Sequence, residues 1–127
     1  MKSMPRAVLA VAVGMHIVAG LLFSHHGAVM YDRSREITLE GTVTEYSFFN
    51  PHVKIHFQVK TNNGNVENWT AECGSSSMMR RAGWSRRTLK PGDQITASGN
   101  PNKDGSYDMR LTKLVLDNGQ ELIPWKN

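Results

Sequence analysis

Four of the five histidines lie in two tight groups, His25-His26 and His52 with His56. Imidazole is the commonest neutral nitrogen ligand of Zn, Cu and Ni, so these groups define the first candidate chemistry. A chain that begins at His25 after processing would offer its free α-amine and a ring nitrogen to a single ion. A further imidazole brought in by the fold, His52 foremost, would complete a three-nitrogen set suited to Cu(II). The candidate metal residues are therefore His25, His26 and His52, with copper as the candidate cofactor. Spacing limits the set: residues i and i+4 on an extended strand lie about 13 Å apart at about 3.3 Å per residue. His52 or His56 can join His25, but not both unless the strand bulges. The H-E-x-x-H helix of zinc proteases is absent. The competing reading is that paired histidines near a processing site are merely polar and accessible, and that His52 caps the Asn50-Pro51 turn.

Other residue types offer less. Cys73 with Met78 and Met79 would be a soft Cu(I) set, but methionines at a helix start and a single strand cysteine also suit a packed core. Glu40, Glu45, Glu67 and Glu72 alternate with apolar or neutral residues as solvated strand faces do, and no phosphate loop or nucleotide fingerprint is present. No catalytic constellation is recognised, so the expectation is a non-enzymatic protein. Trp69, Arg86 and His56 form the candidate ligand or partner face, because small barrels bind extended or planar ligands with aromatic and basic side chains. Arg80, Arg81, Arg86 and Arg87 cluster in sequence, either as a solvated face or as a site for an anion or partner.

The chain carrying these residues is 127 long, enough for one ordinary domain and too short for a multidomain enzyme. It opens with Lys2 and Arg6 and then runs AVLAVAVGMHIVAGLLF from Ala7 to Phe23, the pattern of a signal peptide. A cut before His25 is expected, with a cut after Gly20 as rival and an uncleaved inner-membrane anchor as the alternative. Taking Lys2 and Arg6 from the 15 basic residues leaves 13 against 11 acidic ones, so the formal charge falls from +4 to +2. Much of the basic signal is thus targeting, and export to the periplasm argues against nucleic acid. The predicted organisation is a signal segment at 1–24, an N-terminal arm at 25–36 that is expected to be mobile, and one domain at 37–127. A single Cys excludes an intramolecular disulfide and a cysteine zinc site.

The domain reads as β structure. From Ile37 the string ITLEGTVTEYSFF alternates and is rich in β-branched and aromatic residues, with Gly41 marking a bend or bulge. After Asn50-Pro51, Val53, Ile55, Phe57 and Val59 alternate with His52, Lys54, His56 and Gln58, which assigns the histidines to the non-core face. A hairpin turn at Asn62 to Asn65 leads to a strand from Val66 to Cys73. Ser75 to Arg81 has the start and stop signals of a short helix. Pro91-Gly92 sets a type II turn, strands follow from Gln94 and from Tyr107, and a last hairpin turns at Asp117 to Gly119. Three strands, a short helix and two or three more strands predict a mainly β, five-stranded OB-like Greek-key barrel with its helix between strands three and four. An open antiparallel meander with a covering helix is the alternative.

Several strings then occur in a recognisable order: His25-His26 after the signal segment, Thr38-Leu39-Glu40-Gly41-Thr42-Val43, Asn50-Pro51-His52-Val53, Asn68-Trp69, Gly83-Trp84-Ser85-Arg86, and Leu89-Lys90-Pro91-Gly92-Asp93. In this the chain resembles the bacterial exported proteins grouped as domain of unknown function 6152, and the resemblance extends over nearly the whole mature chain. It implies an OB-like periplasmic domain with no assigned activity. The functional expectation is an exported binding protein for a metal or small ligand. Its rival is an interaction or assembly module of a periplasmic or membrane complex.

Overall fold

The computed structural model describes residues 30–125. Six strands and one helix follow in order: β1 Ile37–Ser47, β2 Lys54–Lys60, β3 Val66–Glu72, α1 Ser76–Arg81, β4 Gln94–Pro101, β5 Asp108–Leu116 and β6 Glu121–Leu122. The eleven-residue β1 is long enough to serve two neighbours, pairing through Ile37 to Thr42 with β4 and through Thr42 to Ser47 with β2. Antiparallel pairs β2–β3 and β4–β5 extend the sheet on either side, and a short parallel pair, Thr70↔Asp108 to Glu72↔Arg110, joins β3 to β5. That last pairing closes a five-stranded barrel and rules out the open meander, while β6 adds only to the edge of β5.

Alternation decides what enters the barrel. Ile55, Phe57, Trp69, Ala71, Met109 and Leu111 point inward, at 9% exposure or less, and their sequence neighbours point out. Each large apolar side chain fully withdrawn from water contributes roughly 1.5–3 kcal/mol. Along β1 and just past its end the inward residues are Val43, then Tyr46 and Phe48, a spacing that a strict two-residue period cannot deliver. The strand solves this with a register shift between Val43 and Glu45, which places an irregularity at Thr44 rather than at Gly41. Gly41 answers a different need. A Cβ there would sit 2.5 Å from the Gln58 carbonyl oxygen, so the glycine permits the close approach of β1 and β2.

The helix starts where the alternation stops. Ser75 caps it by accepting from the Met78 backbone N–H through Oγ, at 3.3 Å, and Arg80 and Arg81 occupy the last turn. Its Met79 is fully buried, and Trp84 folds back behind it as a core plug whose Nε1 donates to the Ile123 carbonyl at 3.1 Å. Trp125 Nε1 donates in turn to the Leu111 carbonyl at 2.8 Å, so the chain after β6 is strapped to the barrel. The Lys90 to Asp93 turn has Gly92 at φ 92°, as a type II turn demands.

β4 runs on through Asn100 to Pro101, and Asn100 and Asn102 are buried and hydrogen-bonded although their types suit a polar turn. The described part of the arm, residues 30–36, is tied to that extension: Asp32 N–H donates to the Pro101 carbonyl at 2.9 Å and Lys103 N–H to the Met30 carbonyl at 2.8 Å. Among the described residues no helix is long and apolar enough to cross a membrane.

Candidate functional site

The outward set of β2, β3 and β5 forms a polar face built in cross-strand rows. Register places Lys54, Glu72 and Arg110 side by side in one row and His56, Thr70 and Asp108 in the next. Residues paired in this way have Cβ atoms about 5 Å apart, within reach of one another's side chains. The pairing of β3 with β5 is therefore what brings Glu72 and Asp108 together.

Over this face lies Tyr31. Its ring is buried at 7% exposure, and its hydroxyl stands 3.0 Å from Glu72 Oε2 and 3.3 Å from both oxygens of Asp108. One O–H thus serves two carboxylates and can donate to only one at a time. Burial first, then the two carboxylates, pushes the Tyr31 phenol well above its ordinary range. Burial, followed by the charge of Glu72, also raises the Asp108 carboxyl, against the hydrogen bond from Tyr31 and the charge of Lys54.

The other oxygen of Glu72, Oε1, contacts His52 Nδ1. The His52 side chain is 51% exposed, so a carboxylate fixes one ring nitrogen of a half-exposed imidazole. His56 has a similar arrangement, with Nδ1 at 3.0 Å from Thr70 Oγ1. An imidazole anchored through Nδ1 and open at Nε2 can accept a cation or donate to an anion. Among the described residues, no three His, Cys, Asp or Glu side chains are grouped so as to hold a metal ion by themselves.

The sequence candidates distribute unevenly. His52 and His56 share this face. His25 and His26 lie outside the described residues, as do the signal segment and its processing site. Trp69 points to the opposite side of the sheet from His56, at 9% exposure, with Nε1 on Glu67 Oε1 at 3.0 Å and its ring 5.3 Å from that of Tyr107. Arg86 lies elsewhere, its guanidinium 5.1 Å from the centre of the Phe49 ring. The three residues proposed as one partner face are thus on three different parts of the barrel. Cys73 and Met79 are packed in the core, and burial raises the Cys73 thiol far above its usual range, which disfavours the thiolate that a metal would require.

Sequence reasoning missed Tyr31 and Asp108. Tyr31 is the large aromatic of a polar arm, which was the available signal, while Asp108 joins the site only through the β3–β5 pairing. At the edge of this face Arg110 leans over the Trp125 ring at 4.1 Å and so belongs as much to the C-terminal strap as to the polar face.

No curated protein matches the chain. A family match runs from residue 13 to residue 110, covering the latter half of the segment before the arm, the arm itself, β1 to β4 and the start of β5, and with them Tyr31, His52, His56, Glu72 and Asp108. It bears out the resemblance carried by the ordered strings, and the chain belongs to the family of unknown function DUF6152.

Proposed function

We propose that the protein is an exported, periplasmic, non-enzymatic binding protein whose working surface is the polar face around His52, with Cu(II) as its ligand. The observation that carries this reading is the His52–Glu72 contact, which leaves an exposed imidazole oriented by a carboxylate. Metal-bound histidines characteristically have their second ring nitrogen held this way, which fixes the ring and raises its basicity. The arm supplies the rest of the argument. Tyr31 is fastened to the same Glu72, and the five residues back to His26 span at most about 18 Å. His25 and His26 are therefore within chain reach of His52. Two or three nitrogens with few anionic partners suit copper better than calcium or magnesium, which prefer oxygen.

Calorimetric titration with Cu(II) of protein recovered from the periplasm, with its first residue fixed by intact mass, tests the reading. His52→Ala and the His25→Ala, His26→Ala double variant are each expected to weaken binding at least tenfold. Affinity unchanged in both variants, or a mature chain lacking His25 and His26, overturns it.

A further inference from the structure

The end of the barrel formed by the β1–β2 loop, α1 and residues 83–88 has an unusual surface. Phe49 is 59% exposed there, and Arg80 and Arg81 at the end of α1 and Arg86 and Arg87 in the loop after it are all exposed. No acidic residue occurs from Tyr46 to Val66 or from Gly74 to Gly92. Among the described residues the ion pairs are His52–Glu72, Lys90–Asp93 and Lys113–Glu121, so these four guanidiniums have no carboxylate partner there. Two of them lie on aromatic rings instead: Arg80 at 5.3 Å from the Phe48 centre and Arg86 at 5.1 Å from that of Phe49.

This end is built as one piece. Asn50 Oδ1 accepts from Ser76 N–H and from Ser76 Oγ, at 3.0 and 2.9 Å, which ties the loop to the helix start. Tyr46 donates its hydroxyl to the Ser85 carbonyl at 2.9 Å, and Thr88 Oγ1 accepts from Ser85 N–H at 2.8 Å, which hold the arginine loop against β1. The exposed ring and the unpaired charges are therefore presented together by a fixed scaffold.

We infer that this end docks the protein on an anionic phospholipid surface, with Phe49 entering the headgroup boundary and the four arginines contacting phosphates. Charge complementarity selects an anionic occupant, and the exposed apolar ring under Arg86 selects one that also offers hydrocarbon. The guanidiniums are spread over a helix end and a separate loop rather than converging on a point, which suits a plane of headgroups better than a single small anion. An acidic polypeptide would satisfy the arginines but gives no reason for an exposed phenylalanine among them. The inference is independent of the copper reading, since neither His52 nor the arm takes part.

The test is co-sedimentation of the processed chain with vesicles of phosphatidylglycerol and phosphatidylcholine at low and physiological salt. Binding is expected on the mixed vesicles, weakening as salt rises, and not on phosphatidylcholine alone. Arg81→Gln with Arg87→Gln, which removes charge without touching a ring, should lower the partition coefficient about tenfold or more. Phe49→Ser should lower it several-fold at unchanged charge. Equal binding to neutral vesicles, or undiminished binding by both variants with native circular dichroism, overturns the inference. Two further results also overturn it: competition by millimolar inorganic phosphate, which would mean a small-anion site, and tighter retention by polyglutamate than by vesicles, which would mean an acidic protein partner.

Discussion

Tyr31 and Glu72, 41 residues apart in sequence, meet through a 3.0 Å hydrogen bond on the outside of the barrel. The contact fastens the N-terminal arm to β3 and brings its tyrosine under the same carboxylate that orients His52. It is a finding about position as much as stability, since it sets Tyr31 beside the carboxylate that orients His52.

Tyr31→Phe should loosen this junction. Hydrogen bonds to charged groups contribute about 1.5–3 kcal/mol, and here the loss would also leave Glu72 and Asp108 facing each other without a shared donor. Unfolding at neutral pH should be easier by that amount, a fall of several degrees in Tm for a domain of this size. Amide exchange at Asp32 and Lys103, whose N–H groups bond to Pro101 and Met30, should accelerate along with it. An unchanged Tm with unchanged exchange would show that the arm is held by its backbone bonds alone.

Asp108→Asn is expected to act in the opposite direction at neutral pH. Burial raises the folded-state value of this carboxyl above that of the unfolded chain, so the folded state favours its protonated form. The associated stability is present below the unfolded value and is lost as pH rises through the folded one. Wild type therefore carries a buried negative charge at pH 7 that the amide lacks, while the amide oxygen still accepts from Tyr31. The variant should be more stable than wild type at pH 7, and the gain should shrink as pH falls below the folded value. Denaturant titrations at pH 7 and at pH 4 measure both points, and a gain that grows on acidification contradicts the assignment.

Alternation alone made much of the barrel legible. The inward faces of β2 and β3, the capped helix after Cys73 and the Pro91-Gly92 turn all follow from local pattern, because each depends on residues close in sequence. The polar face was only half legible. His52 and His56 fall on one side by period, and their partners Glu72 and Thr70 lie on the neighbouring hairpin strand, but Asp108 reaches Glu72 only through a parallel pairing between strands that a helix and β4 separate in sequence. Local pattern does not encode that pairing. The phase change in β1 was hidden for a related reason. Thr44 is an ordinary strand residue by type, and its irregular register is set by the need to bury both Val43 and Phe48.

Gly41 and Gly92 should separate steric from conformational cost. At Gly41 a Cβ would approach the Gln58 carbonyl oxygen to 2.5 Å and Phe57 Cδ2 to 2.8 Å, and the first of these is backbone that cannot swing away. At Gly92 nothing lies within 4 Å, but φ is +92°. Gly92→Ala should cost about 1 kcal/mol of left-handed strain. Gly41→Ala, although its backbone conformation is open to any residue, should cost more, about 2–3 kcal/mol, by prising β1 from β2. Chemical denaturation of the two variants in parallel decides the order, and a reversed order would mean that β1 can shift to admit a methyl group.

Cys73 should be silent toward thiol reagents while the barrel is folded. It is 1% exposed, and its N–H donates to Val53 at 2.8 Å, which fixes the residue at the start of the loop to α1. Desolvation by burial is the larger cause of its raised thiol value and the charge of Glu72 the lesser, so the neutral thiol is favoured in the folded state. For an accessible cysteine, labelling accelerates as pH rises through about 8.5, because the thiolate is the nucleophile. Here labelling with Ellman's reagent should stay slow from pH 7 to 9 and jump to completion in denaturant, its rate tracking the open population rather than the thiolate fraction. Fast native-state labelling that follows pH would place the sulfur at the surface and revive it as a soft metal ligand. Slow labelling removes the Cys73 thiolate from any copper chemistry of the folded domain.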